Sequence, residues 1–414
     1  MKKTFSSELN QEFSRRHALL VDRLRKLGIG QYLVTQTDSI YYLTGASFEA
    51  LERPFFLLID AGGGAKGRRL LVPMLELEHM QKCWGIDPEN ARTYQEYPAP
   101  AGAGWQDALF GRKMLAPNFA FEDSAPQSMA ALLMAAGGQA LDLVGELRMV
   151  KSDWEVSQVE RAAAYADWGV NRILNSAYHG ATVAETHAAS QLLLRKIVRE
   201  TPDWDALATK TIAAAWPAPI SAEPHSIPPI GMRLDRGPHV AMVLTRVNGY
   251  AAESERTFFT VPPSAQEREL FQLMEEARKL AFSKVRPGIG CAEIDESVNA
   301  FLAKAGFGDF HTRLHRCGHG IGLGTHEAPW LASGGSHVLA KNMVISIEPG
   351  IYLSGVGGFR HSDTLQVTEK GYRLLTHAPN TLADLVRPRA SLSARSMGWL
   401  VRRSLGLNSN GERR

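Results

Sequence analysis

The sequence predicts an α+β protein of two domains: an N-terminal α/β domain over residues 1–150 and a larger α+β domain over 151–385, followed by a basic tail over 386–414. Three observations predict this. A length of 414 residues, at about 150 per domain, asks for two or three domains. Helical and strand-like segments interleave without a regular βαβ rhythm in the second part, which favours an α+β layer over a doubly wound sheet. The stretch LVGELRMVKSD, 143–153, opens a long new helical pattern and places the boundary near Lys151.

Taken in order, apolar residues recur at helical spacing over 8–27 (Phe13, Leu19, Leu20, Leu24), and Gly28-Ile29-Gly30 stops that helix before the strand QYLVT. PFFLLID (54–60) and RRLLVP (68–73) read as strands, LELEHMQKCW (75–84) as a helix, FAFED (119–123) as a strand, and the Ala/Met-rich stretch 126–137 as a helix. Asp153 is the expected N-cap of a helix over 154–178. Helices follow at 183–200, 265–283 and 291–305, with strands around 207–213 and 239–260 and a β-rich end at 341–376. The last segment carries seven arginines against one glutamate and reads as a solvated tail.

Composition excludes several classes. With 44% hydrophobic and 21% charged residues the chain is ordinary globular material. Forty-six Lys+Arg against 43 Asp+Glu give a net charge of +3, too small and too evenly spread to predict nucleic acid or an anionic membrane as partner. Cys83, Cys291 and Cys317 are far apart with no CxxC spacing, so neither a disulfide framework nor a thiolate zinc site follows from sequence neighbours. The polar N-terminus and the lack of a run of about 20 apolar residues predict a cytoplasmic protein that does not span a membrane.

Chemistry concentrates in three segments. GPHVAMVLTRVNGYAAESERTFFT (237–260) holds two strand-like runs joined by Asn248-Gly249, a strong hairpin signal. Pairing across that turn sets Leu244 opposite Glu253 and Met242 opposite Glu255, so both carboxylates share one face. Cys317-Gly-His-Gly-Ile-Gly-Leu-Gly-Thr-His-Glu-Ala-Pro329 then sets His319 and His326 in a glycine frame that lets backbone approach a ligand closely. The strand NMVISIEPGIYL ends in Glu348-Pro349-Gly350. Alternation along GGFRHSD puts Ser362 with Arg360 on one face and His361 on the other. His311, His315 and His337 match none of these motifs and read as loop or structural histidines.

GHGIG…HE.P, IEPGIY and G.R..D together resemble the family of creatinases, prolidases, Xaa-Pro aminopeptidases and methionine aminopeptidases over nearly the whole chain. The resemblance implies a C-terminal "pita-bread" catalytic domain, a homodimer, and hydrolysis of a C–N bond in a small-molecule or dipeptide-like substrate that carries a carboxylate. Metal-dependent members hold two ions with Asp, Asp, His, Glu and Glu. The matching positions here are Met242, Glu253, His319, Glu348 and Ser362, so two carboxylates are missing. A thioether and a hydroxyl cannot replace them for two hard dications.

The metal-independent creatinase branch is therefore the principal expectation, with no cofactor. The alternative is a metal-dependent Xaa-Pro peptidase holding a single Mn, Zn or Co ion with Glu253, His319 and Glu348. A third reading is a pseudoenzyme that keeps only the binding pocket. Creatinase resembles the chain in Glu255-Arg256-Thr257 and in a histidine that precedes a proline in a loop before the first strand, here His225 in ISAEPHSIPPIGMRLDRG. Carried over, His225 activates water and protonates the leaving nitrogen, Glu255, Glu253 and Glu348 hold a cationic group, and His319 and His326 polarise the scissile bond. A covalent glutamate intermediate is equally open. Arg360 is expected to bind substrate, and Arg53, in Glu-Arg-Pro-Phe, to hold its carboxylate across the dimer.

Overall fold

The computed structural model describes residues 5–80, 83–111, 114–408 and 412, without the side chains of residues 65 and 66, and the chain divides into two compact units, Met1–Arg148 and Met149–Arg414. In the first unit the helix Ser7–Lys26 is capped by Ser6, whose side chain accepts from the Leu9 N–H, and it buries Phe13, Leu20 and Leu24. Gly28, at φ 69°, ends it in the left-handed region that glycine tolerates best. Strands β1 (Gln31–Val34), β2 (Phe56–Asp60), β3 (Arg68–Pro73), β4 (Ala91–Tyr94), β5 (Phe119–Phe121) and β6 (Gln139–Ala140) form a sheet of order β4-β3-β2-β1-β5-β6. β1 is antiparallel to β2 and parallel to β5.

On that sheet Leu33, Phe56, Leu58, Leu71 and Phe121 pack with Trp105, Leu109 and Leu133. Each such side chain contributes about 1.5–3 kcal/mol by leaving water. The helix expected over 75–84 is shorter: a 3-10 turn, Met74–Glu76, leads into Leu77–Met80, and residues 81 and 82 lie outside the described residues. Only Met80 of that short helix is buried, too little apolar surface to extend it.

The second unit starts on the helix Asp153–Ser176, and its N-cap is Ser152 rather than Asp153. The Ser152 hydroxyl accepts from the Glu155 N–H while the Glu155 carboxylate accepts from the Ser152 N–H, a reciprocal pair that Asp153 cannot form. Strands β7 (Lys210–Trp216), β8 (His239–Val247), β9 (Tyr250–Phe258), β10 (Gly318–Gly320), β11 (Glu327–Leu331) and β12 (Val344–Ile347) come next. They are followed by β13 (Gly350–Leu353), β14 (Gly357–Arg360), β15 (Ser362–Val367) and β16 (Tyr372–Leu374). The main sheet runs β11-β10-β12-β15-β9-β8-β7, with β16 added on β15, and β13 pairs with β14 apart.

The helices Val183–Glu200, Ala265–Lys284 and Cys291–Lys304 complete the layer. The β8–β9 hairpin turns on Asn248 and Gly249, both at positive φ, and its register pairs Met242 with Glu255 and Leu244 with Glu253, as the turn chemistry predicts.

The last segment is not a solvated tail. It forms the helix Leu392–Ser404, whose Gly398 is buried and whose Arg402 ion-pairs with Glu185, a charge that otherwise lies buried. Three free cysteines are all buried. Among the described residues no helix is long and apolar enough to cross a membrane.

His239, wholly buried on β8, accepts from the Ala218 N–H at 3.0 Å through Nδ1 and lies 3.2 Å from Thr260 Oγ1 through Nε2. Burial pushes it down to about 3, and burial likewise holds His361 near about 4. The unfolded chain therefore takes protons below pH ~6.5 that the folded chain refuses, so stability is full above that pH and falls as pH drops toward these values. Denaturation midpoints measured between pH 7 and 5 should show a loss of at least about 1.4 kcal/mol per pH unit in the lower part of that range. Unchanged midpoints would contradict it.

Candidate active site

Three strands bring the site together. Glu253 and Glu255 project from β9, His319 from β10, and Glu348 follows β12 directly. Gly318 and Gly320 flank His319 because a Cβ on either would run into a neighbouring strand's carbonyl, Ser346 and Ala328 respectively. His319 is fully buried. Its Nδ1 lies 3.0 Å from the Gly320 carbonyl, which can only accept, so Nδ1 carries the hydrogen.

Nε2 is then turned inward and ion-paired with both carboxylates, 3.6 Å from Glu253 and 3.3 Å from Glu348. The His326 ring lies over it at 3.9 Å between centroids. Burial and the charge of His319 push His326 down to about 4, so it is neutral at neutral pH. His225, exposed in its loop, lies near enough to His326 to contribute to that depression.

Burial raises Glu253, yet its Oε1 accepts from the hydroxyls of Ser346 and, at 2.6 Å, of Ser362. Thr364 clamps its backbone, donating to the Glu253 carbonyl and accepting from its N–H. Glu255 pairs with Arg360, but burial wins and moves it up to about 7. Burial opposes the ionisation of Glu348 too, and there the hydrogen-bonding and charge of His319, with His315 and Arg360, hold the carboxyl well below the usual range. The same carboxylates lift His319 to about 9 against its burial.

His315 lies in the loop before β10, as expected, but its ring joins the site. Its Nε2 lies 2.6 Å from the Tyr352 hydroxyl, which also accepts from Arg360 at 3.2 Å, forming a chain from Glu255 to His315. Sequence reasoning passed over His315, Tyr352 and Ser346. The signals were present: His315 stands four residues before His319, and Ser346 shares Glu348's strand parity. His311 is exposed, while His337 accepts through its carbonyl from the Cys291 N–H, and neither is placed with these groups.

His361 points away, as alternation predicts, with Nδ1 2.8 Å from Glu275. In the N-terminal unit Arg53 is engaged by Glu96 at 2.8 Å and by Glu52 at 3.0 Å. Its fork is occupied within its own unit.

The family expectation of two metal ions fails a test on the donors present. Met242 and Ser362 occupy two carboxylate positions, and the Ser362 hydroxyl is spent on Glu253 and Ser346. One ion fits better, because Glu253, His319 and His326 each offer a donor atom with all three within 4.8 Å of one another. This group keeps Glu253 and His319 of the set that the sequence suggested and adds His326. Glu348 lies 3.3 Å from the same His319 atom.

Comparison with known proteins gives this geometry its context. Residues 157–369 match metallopeptidase family M24, and residues 16–150 match the creatinase/prolidase N-terminal domain. An Xaa-Pro dipeptidase of Pyrococcus horikoshii is 27% identical over 369 residues, 88% of this chain and 97% of that protein. The Xaa-Pro dipeptidase of Pyrococcus furiosus is 30% identical over 242 residues, 58% of this chain and 67% of its own length. In structure the chain is similar to the dipeptidase PepE of Mycobacterium ulcerans, with a TM-score of 0.75 at 27% identity, covering 90% and 98% of the two chains. The fold is therefore α+β, a creatinase-like N-terminal domain followed by a pita-bread domain.

Proposed function

The chain belongs to metallopeptidase family M24 and is a C–N bond hydrolase, and from that premise we propose that it cleaves a dipeptide-like amide bearing a carboxylate, with one divalent ion in its site. The observation that carries this reading is the grouping of buried His319 with Glu253 and His326, one donor atom from each lying within 4.8 Å of the others. To hold an ion, His319 would have to give up the proton that the carboxylates favour on it. Bound there, such an ion supplies Lewis-acid polarisation of the scissile carbonyl.

The chain's own residues do the rest. His225, an exposed loop histidine beside neutral His326, takes the proton of the attacking water and returns it to the leaving nitrogen. Arg360, buried and fixed between Glu255 and Tyr352, would supply the positive charge for the substrate's carboxylate, and His315 locks the Tyr352 hydroxyl. A metal-free reaction is the second reading. The two serine hydroxyls already on Glu253 Oε1, with Glu255 near 7, favour it. Turnover of an Xaa-Pro dipeptide panel, with and without chelator, tests both. No cleavage of any dipeptide would sink the substrate class.

Arg53 enters the proposal as a carboxylate clamp acting in a homodimer, exchanging Glu96 for substrate. Arg53→Ala should raise KM at least about tenfold with kcat changed little, and Arg53→Lys should rescue little because the bidentate fork is lost. Mixed dimers of Arg53→Ala and His225→Ala chains should regain activity. No change in KM would return Arg53 to its ion pairs with Glu96 and Glu52.

A further inference from the structure

A second pocket, of about 450 Å³, lies between the end of the helix Asp153–Ser176 and the start of the helix Leu392–Ser404. Arg172, Arg387 and Arg389 line it, with Ser391 and Ser393. Its one lining acid, Glu185, is neutralised by Arg402 and accepts from Tyr178 at 2.7 Å, so the pocket's own balance is strongly positive. None of the three lining arginines makes an ion pair among the described residues.

Arg387 is held on fixed backbone. Its N–H donates to the Phe259 carbonyl at 2.6 Å, the Phe259 N–H donates to Leu385 at 2.9 Å, and Leu385 is fully buried. The Arg387 Nε is itself buried and lacks an acceptor. A buried guanidinium donor left unmade is costly, and like charges gathered without partners repel. The thirteen-residue helix, capped by Ser391, adds the positive end of its dipole to the same rim. Arg172 also lines an adjoining groove with Arg195 and Arg199, extending the positive field.

We propose that this pocket binds a small, multiply charged phosphate of pyrophosphate size, and that binding clamps the C-terminal helix onto the unit. Phosphoryl oxygens match guanidinium forks two by two. A single carboxylate carries too little charge for three arginines.

Titrating the full chain with pyrophosphate at fixed ionic strength should give one-to-one binding by calorimetry, a raised Tm, and slower amide exchange over Leu392–Ser404. Arg387→Gln combined with Arg389→Gln should weaken binding by at least about tenfold. Ser393→Glu, at an exposed position, puts a carboxylate in the pocket and should abolish binding without touching the arginines. Arg195→Gln, in the adjoining groove only, should leave it within about twofold. Absence of binding, or binding undiminished in both the double variant and Ser393→Glu, would overturn the proposal. So would association with anionic vesicles but not with soluble pyrophosphate, which would make the surface a membrane contact instead.

Discussion

Arg256→Ala is expected to destabilise the C-terminal unit by about 3–5 kcal/mol, the cost of leaving a buried charge without its partner. Asp363, fully enclosed, is shared by Arg256 and Arg278 at 2.6 Å each and also accepts from Thr376. Burial opposes its ionisation, but the two guanidiniums win and hold it near about 2. Arg256 further donates to the carbonyls of Ser362 and Pro379, so its removal strands several acceptors and loosens the strand carrying Ser362. Chemical denaturation followed by circular dichroism measures the loss. Arg256→Lys should recover little, since an ammonium cannot serve these acceptors in one plane. A loss below about 1 kcal/mol would show that the network is merely permissive.

His225→Ala is expected to lower kcat by at least about a hundredfold, the low end for removing a general acid–base group. His225 lies in an exposed turn beside His326, and no strand depends on its side chain, so folding should be spared. Steady-state kinetics with a melting curve separate the two effects. Near-wild-type turnover in a folded variant would remove His225 from the reaction and leave His326 as the next proton carrier to test.

How much of this was legible beforehand depends on the range of the interaction. Asn248-Gly249 specified its hairpin because both residues accept positive φ, and period-two alternation then set Glu253, Glu255 and the outward His361 without tertiary information. The missing carboxylates, Met242 and Ser362, were equally plain by position. What was not legible came from groups distant in sequence. Tyr352 on β13 meets His315 from the loop before β10, and the connection between β10 and β11 folds His326 back over His319. A loop's path is set by packing, not by local period, which is why Glu348 rather than His326 was expected in a metal set. The tail misled for a similar reason: Arg402 is attractive only because Glu185, more than two hundred residues earlier, is buried beneath it.

The central claim is that the site holds one ion where two carboxylate ligands have been replaced. Metal analysis of the purified chain after incubation with Mn, Co or Zn, combined with chelator-sensitive turnover, tests it directly. The account predicts about one ion per chain, lost in His319→Ala, with activity that chelator removes and one equivalent restores. Two ions per chain, or full activity in metal-free protein, would contradict it.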